Sequence, residues 1–159
     1  MNVVDIVEKY RKMNPIDIEG LIRELGIELD KKAELDDNIA GQIEKSPENK
    51  FKISINKNDH YFRKRFTMAH ECAHFLLHKN LLGDGVEDSK KYRKIEVTNF
   101  SNSIKDKHEV EANKFAAGLL MPLDDVRKDW ESSNGNMVEF ASKWQVSPKA
   151  MKIRLGLDD

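Results

Sequence analysis

Phe66-Thr67-Met68-Ala69-His70-Glu71-Cys72-Ala73-His74-Phe75-Leu76-Leu77-His78 is an apolar stretch interrupted by three imidazoles and one carboxylate. Its apolar positions recur with helical spacing, so Arg63 to His78 reads as one long helix packed through Phe66, Ala69, Ala73, Leu76 and Leu77. On a helix, positions i and i+4 differ by only about 40° and lie about 6 Å apart along the axis. His70 and His74 on adjacent turns can therefore reach one cation at about 2 Å from each ring nitrogen. Glu71 lies about 100° further round, beside such an ion rather than on it, where a base that deprotonates a water is needed. With five histidines in 159 residues, this five-residue string arises by chance in about one chain in 75 of this composition. Its apolar setting adds weight, because buried imidazoles and carboxylates are costly without partners. Histidines merely bonded to a neighbouring helix are the plain alternative.

Two histidines do not complete a metal site. His78 continues the same face but sits a further turn away, about 6 Å past His74. A histidine six residues after His74 is absent, since that position is Asn80, and His60 lies in a polar loop with nothing to aim it. The segment His108-Glu109-Val110-Glu111-Ala112-Asn113-Lys114-Phe115-Ala116-Ala117-Gly118-Leu119-Leu120-Met121-Pro122 offers the third ligand. Glu109 and Asn113 share a helical face with Ala112 and Ala116, whose small side chains permit close helix approach. Glu109 is the best candidate, with Glu111 and then His108 behind it. Asn113 could accept the second N–H of a ligating histidine and fix its tautomer.

Outward from these helices the chain reads as α+β. Residues 2–12 and 18–25 form amphipathic helices, the second introduced by Asn14-Pro15 and stopped by Gly26. Residues 27–29, 39–43 and 51–56 alternate, and Ser46-Pro47-Glu48-Asn49 is a turn, so a small, mostly antiparallel three-stranded sheet packed on helices is expected. Residues 83–107 are polar and weakly patterned, with one short extended piece at Ile95 to Asn99. Helices follow at 108–121, 123–131, 137–144 and 148–155, the last begun by Ser147-Pro148 and closed by Gly156. The expected division is a metal-binding domain over 1–125 and a helical extension over 126–159 packed on it, whose last two helices have a helix-turn-helix pattern.

Composition narrows the function classes. Lys and Arg number 27 against 28 Asp and Glu, a formal charge of −1, so no global field draws the chain to nucleic acid or an anionic membrane. No apolar run reaches the roughly 18 residues of a membrane span. The N-terminal stretch carries Asp5 and Glu8 in its apolar stripe, unlike a secretory leader. The lone Cys72 excludes an internal disulfide and a multi-cysteine zinc site, and a reducing, cytoplasmic location is expected. Cys72 itself reads as a small core hydrophobe, and Arg63-Lys64-Arg65 as a solvated helix start.

Residues 63–78 and 109–122 together resemble the ImmA/IrrE family of bacterial and phage metallopeptidases, and the resemblance extends over about residues 15–125. It implies a minimal zincin-like fold and, as in gluzincin peptidases, His70, His74 and Glu109 as ligands with Glu71 as catalytic base. It further implies a bound divalent ion, Zn2+ or alternatively Mn2+, and a helix-turn-helix repressor as protein substrate, encoded in a neighbouring gene. Cleavage would release phage, mobile-element, stress-response or toxin–antitoxin genes. Two positions depart from the family pattern: Ala73 stands where glycine is more common, and Asn113 where related peptidases often have aspartate. The amide orients a histidine but adds no charge.

Three further expectations concern substrate. The strand Phe51 to Asn56, through Lys52, Ile53, Ser54 and Ile55, is expected to offer an edge for an extended peptide. His78, Tyr92 and Arg93 are the candidate oxyanion donors. Lys149, Lys152 and Arg154 are candidate phosphate contacts should the C-terminal helices touch DNA, a reading that the absence of a basic excess disfavours. A regulator that sequesters a transcription factor without cutting it is the other alternative, against which Glu71 argues.

Overall fold

The computed structural model describes residues 2–82, 86–89, 95–96 and 106–157. Helices α1 (Val3–Arg11) and α2 (Ile18–Glu24) lead into strands β1 (Glu28–Ala33), β2 (Ile39–Lys45) and β3 (Phe51–Asn56). Helix α3 (Tyr61–His78) follows, and beyond it two short strands, β4 (Val86–Ser89) and β5 (Ile95–Glu96). Helices α4 (Asp106–Leu120), α5 (Leu123–Glu131), α6 (Met137–Lys143) and α7 (Pro148–Leu155) complete the chain. The fold is α+β, as expected.

The three expected strands form the body of the sheet, and β4 and β5 extend it to the order β1-β3-β2-β4-β5. Its pairings are antiparallel except that of β1 with β3. This order corrects the substrate-edge expectation. β3 is an interior strand: Ile53 pairs with Leu29 of β1 on one side and Ile43 of β2 on the other, and Ser54 likewise with Asp30 and Gln42. The backbone of Lys52, Ile53, Ser54 and Ile55 is thus already committed on both sides. The cause is legible in the burial, since Ser54 and Asn56 are buried along with Phe51, Ile53 and Ile55. A strand covered on both faces belongs inside a sheet. Asn56 is fully buried because its amide donates to the carbonyls of Leu35, Asp36 and Ile39, tying down the loop before β2.

Helix α3 lies against β2 and β3 on one side and α4 on the other. Every residue from Thr67 to Phe75 is buried. Close seating on the sheet depends on Gly41 of β2: a Cβ there would stand 2.7 Å from the Thr67 methyl and 2.9 Å from the Ser54 carbonyl oxygen. Leu77, expected in the packed face, is instead 46% exposed. Arg65 also departs from expectation. It is buried and its Nη1 donates to the Ile16 carbonyl at 3.1 Å, so one member of the basic cluster anchors α3 to the segment before α2. His60 caps α3, its Nδ1 accepting the Phe62 amide N–H at 3.1 Å.

One hydrophobic cluster runs from Ile18, Leu21 and Ile22 through Ile43, Ile53 and Met68 to Val126, Phe140, Trp144 and Met151. The C-terminal helices therefore contribute to the same core as the sheet. Ser147 caps α7 by accepting the Ala150 N–H, and Gly156 ends it at φ 73°. Between α6 and α7, Gln145 takes φ 58°, the left-handed conformation that a glycine usually fills in such turns. Arg154 is engaged within the fold, its Nε donating to the Met121 carbonyl at 2.8 Å. Among the described residues no helix is long and apolar enough to cross a membrane.

Candidate metal centre

Helices α3 and α4 run antiparallel, and the side chains that meet across them are those of adjacent turns. His70 faces Asn113 and Glu109, while His74, one turn on, also faces Glu109. Ala112 and Ala116 are fully buried between them, which lets the two helices approach closely. The consequence is a three-residue cluster in which His70 Nε2 lies 2.9 Å and His74 Nε2 2.7 Å from the same oxygen, Glu109 Oε1. The ligand atoms all lie within 4.8 Å of one another. Both imidazoles are fully buried and Glu109 nearly so.

The chemistry of this donor set suits a divalent cation. Asn113 Oδ1 lies 2.8 Å from His70 Nδ1. An amide oxygen only accepts, so Nδ1 is the donor in this contact, and a ring that gives its one proton there keeps the Nε2 lone pair for a cation. Nε2 of His70 and Nε2 of His74 both face Glu109 Oε1, so a divalent cation between the three would find all of its protein donors in place. Burial also pushes the His74 ring down to about 4 against the pull of the Glu109 carboxylate, which keeps it neutral at physiological pH, as ligation requires. Two imidazoles and one carboxylate, with no sulfur, match zinc and are compatible with manganese.

The remaining candidates are placed as follows. Glu71 is fully buried on α3, next in sequence to His70. His78 is not available as an oxyanion donor: its Nδ1 is 3.0 Å from His74 Nδ1, on the side of that ring away from Glu109, and its Nε2 is 3.2 Å from Glu111 Oε1. Helical geometry explains the correction, since i+4 from His74 stacks His78 behind its neighbour. Tyr92 and Arg93 lie outside the described residues. Glu111, the second choice as ligand, contacts His78 instead, and the His108 ring lies 4.8 Å from that of His78. Cys72 is fully buried, and burial raises its thiol to about 12. The feature that spacing left unassigned is the contact of His78 with Glu111; its signal in the sequence is the i, i+4, i+8 run of His70, His74 and His78.

The chain matches the family of M78 peptidases, described as the IrrE N-terminal-like domain, over residues 37–156. The match takes in both helices of the metal centre and also α5, α6 and α7. No curated protein is significantly similar to the chain.

Proposed function

The chain belongs to this family of ImmA/IrrE-type metallopeptidases, and on that premise we propose that it is a zinc-dependent, site-specific endopeptidase acting on a helix-turn-helix repressor in the cytoplasm. The observation that carries the reading is the convergence of His70 Nε2 and His74 Nε2 on Glu109 Oε1. His70, His74 and Glu109 would hold the ion, which supplies Lewis acidity toward a peptide carbonyl and acidifies a water to near neutral pH. Asn113 keeps the His70 proton on Nδ1, so that Nε2 stays available as a ligand. Glu71 takes the proton of the attacking water and returns it to the leaving amine nitrogen. The repressor target is supported by family membership alone, and the expected source is a neighbouring gene.

The zinc-loaded protein is to be incubated with the candidate repressor and the products read by mass spectrometry. One defined cut is expected. Glu71→Gln should keep its zinc and lose at least about 100-fold in rate, the usual scale for removing a general base. Cleavage by that variant at the wild-type rate would show that Glu71 is not the base. A tight complex with the repressor and no fragments would favour sequestration over proteolysis.

A further inference from the structure

Helix α7 meets α3 and α4 over two adjoining cavities. The first, about 610 Å³, lies between the start of α3 and the α6–α7 segment, and the second, about 400 Å³, between α4 and the end of α7. Phe66 and Ala150 line both, so together they make one trough along α7. Its lining is mostly apolar, and two of its side chains, Val138 and Ile153, are 67% and 62% exposed. Among the described residues no carboxylate lines it, and its charged side chains are Arg63, Lys114 and Arg154. The chain carries 27 Lys and Arg against 28 Asp and Glu, so this is a local cationic surface on a nearly neutral molecule. Arg63 meets Asp59 at 3.9 Å, which makes Lys114 and Arg154 the more cationic end. Arg127 adds to that end: after burial, its charge is what lowers the Arg154 guanidinium from its usual value.

The trough also borders the metal centre. Asn113 lines its α4 end and meets His70 Nδ1 at 2.8 Å, on the side of the ring away from Glu109. Resting on the peptidase reading above, we propose that the trough docks an amphipathic helix of the protein substrate, apolar toward Phe66 and Met121 and acidic along the flank near Lys114 and Arg154. From Pro148 to Arg154, which lie at its two ends, α7 rises about 9 Å. Apolar anchors one to two turns apart on a helix laid beside α7 match that span. The lining favours such a helix over DNA, whose phosphates gain nothing from Phe66, Met121 or Ile153. Because the trough lies behind His70, the docked helix is not the segment that is cut. It holds the rest of the substrate next to the metal centre and so raises the effective concentration of the cleavable bond. Selectivity for one target then comes from this contact as well as from the bond itself.

The probe is a fluorescein-labelled peptide of leucine and glutamate, patterned as an amphipathic helix, with its leucine–lysine counterpart as control. Titrated into the zinc-loaded protein, the glutamate peptide should bind and shift the methyl signals of Met121, Val138 and Ile153; the lysine peptide should not. Ile153→Asp should weaken that binding about 10-fold, the scale of one apolar side chain left unburied, and Lys114→Glu should weaken it as well. Both positions are exposed, so each variant should fold with an unchanged thermal midpoint. With the repressor as substrate, Ile153→Asp should raise KM about 10-fold at unchanged kcat. A short peptide containing only the cleaved bond should be cut equally by the variant and the wild type. Absence of binding, equal binding of the two peptides, shifts elsewhere on the protein, displacement by duplex DNA, or a wild-type KM for the repressor in Ile153→Asp would overturn the proposal. A wild type that cuts no repressor would instead count against the peptidase reading, and the peptide titration would still decide what the trough takes.

Discussion

Each residue of the centre has a chemical state set by what surrounds it, and two such states give predictions. In the metal-free protein, burial lowers His74 from 6.5 to about 4. The unfolded chain thus binds a proton there across a window in which the folded chain does not. Stability from this group is fully present above about pH 6.5, falls by up to about 1.4 kcal/mol per pH unit as pH drops toward 4, and changes no further below that. Urea midpoints of the metal-free wild type should decline through this window more steeply than those of His74→Gln; parallel profiles would contradict the assignment. Cys72, fully buried with its thiol raised to about 12, should resist alkylation at pH 8 until the protein unfolds. Labelling of the native chain at the rate of a free thiol would show that the core opens there. At this scale the sequence is informative where chemistry dictates spacing. His70 and His74 are legible from helical periodicity, and Glu109 from sharing a face with Asn113, Ala112 and Ala116. His78 is not, because its spacing fits either a role in the site or one behind it, and only the α4 partner distinguishes them.

Helices and strands are legible where the pattern is long. Among the described residues, the seven α-helices and three principal strands fall where apolar periodicity, caps and glycine stops place them, with ends shifted by a few residues. What the pattern does not carry is the order of strands. Phe51-Lys52-Ile53-Ser54-Ile55-Asn56 alternates like a half-exposed strand, yet Ser54 and Asn56 are buried and the strand lies inside the sheet. Asn56, whose amide is satisfied by backbone carbonyls, looks solvent-facing in a sequence. Arg65 misleads for a related reason, since its partners, the Ile16 carbonyl and Tyr61, come from contacts that its place in a basic cluster does not reveal. The seating of α3 on β2 gives the prediction at this scale. Gly41→Ala forces a methyl against the Thr67 methyl and the Ser54 carbonyl oxygen, and should cost about 1–3 kcal/mol, seen as a thermal midpoint several degrees lower. Because Thr67 lies one turn before His70 and Glu71, zinc retention should fall with it. An unchanged midpoint would mean that the helix is less tightly seated than the structure shows.

For the molecule as a whole, the cluster that joins Ile22, Ile53 and Met68 to Phe140, Trp144 and Met151 makes the C-terminal helices part of the main core. Of the two tryptophans, Trp130 lies in α5 and Trp144 caps the end of α6, whereas far-ultraviolet circular dichroism reports on all of the secondary structure. The two signals should lose structure at the same temperature and denaturant concentration, as in one cooperative transition. An earlier fluorescence transition would show that residues 126–157 unfold separately. That core exists to hold α3 against α4, and the account turns on what the two helices hold between them. Anomalous diffraction at the zinc edge, on crystals grown with one equivalent of zinc, tests this most directly. A single strong peak is expected, about 2.0–2.2 Å from His70 Nε2, His74 Nε2 and a Glu109 oxygen. A zinc peak bound elsewhere, with Glu109 turned away from the two imidazoles, would contradict it.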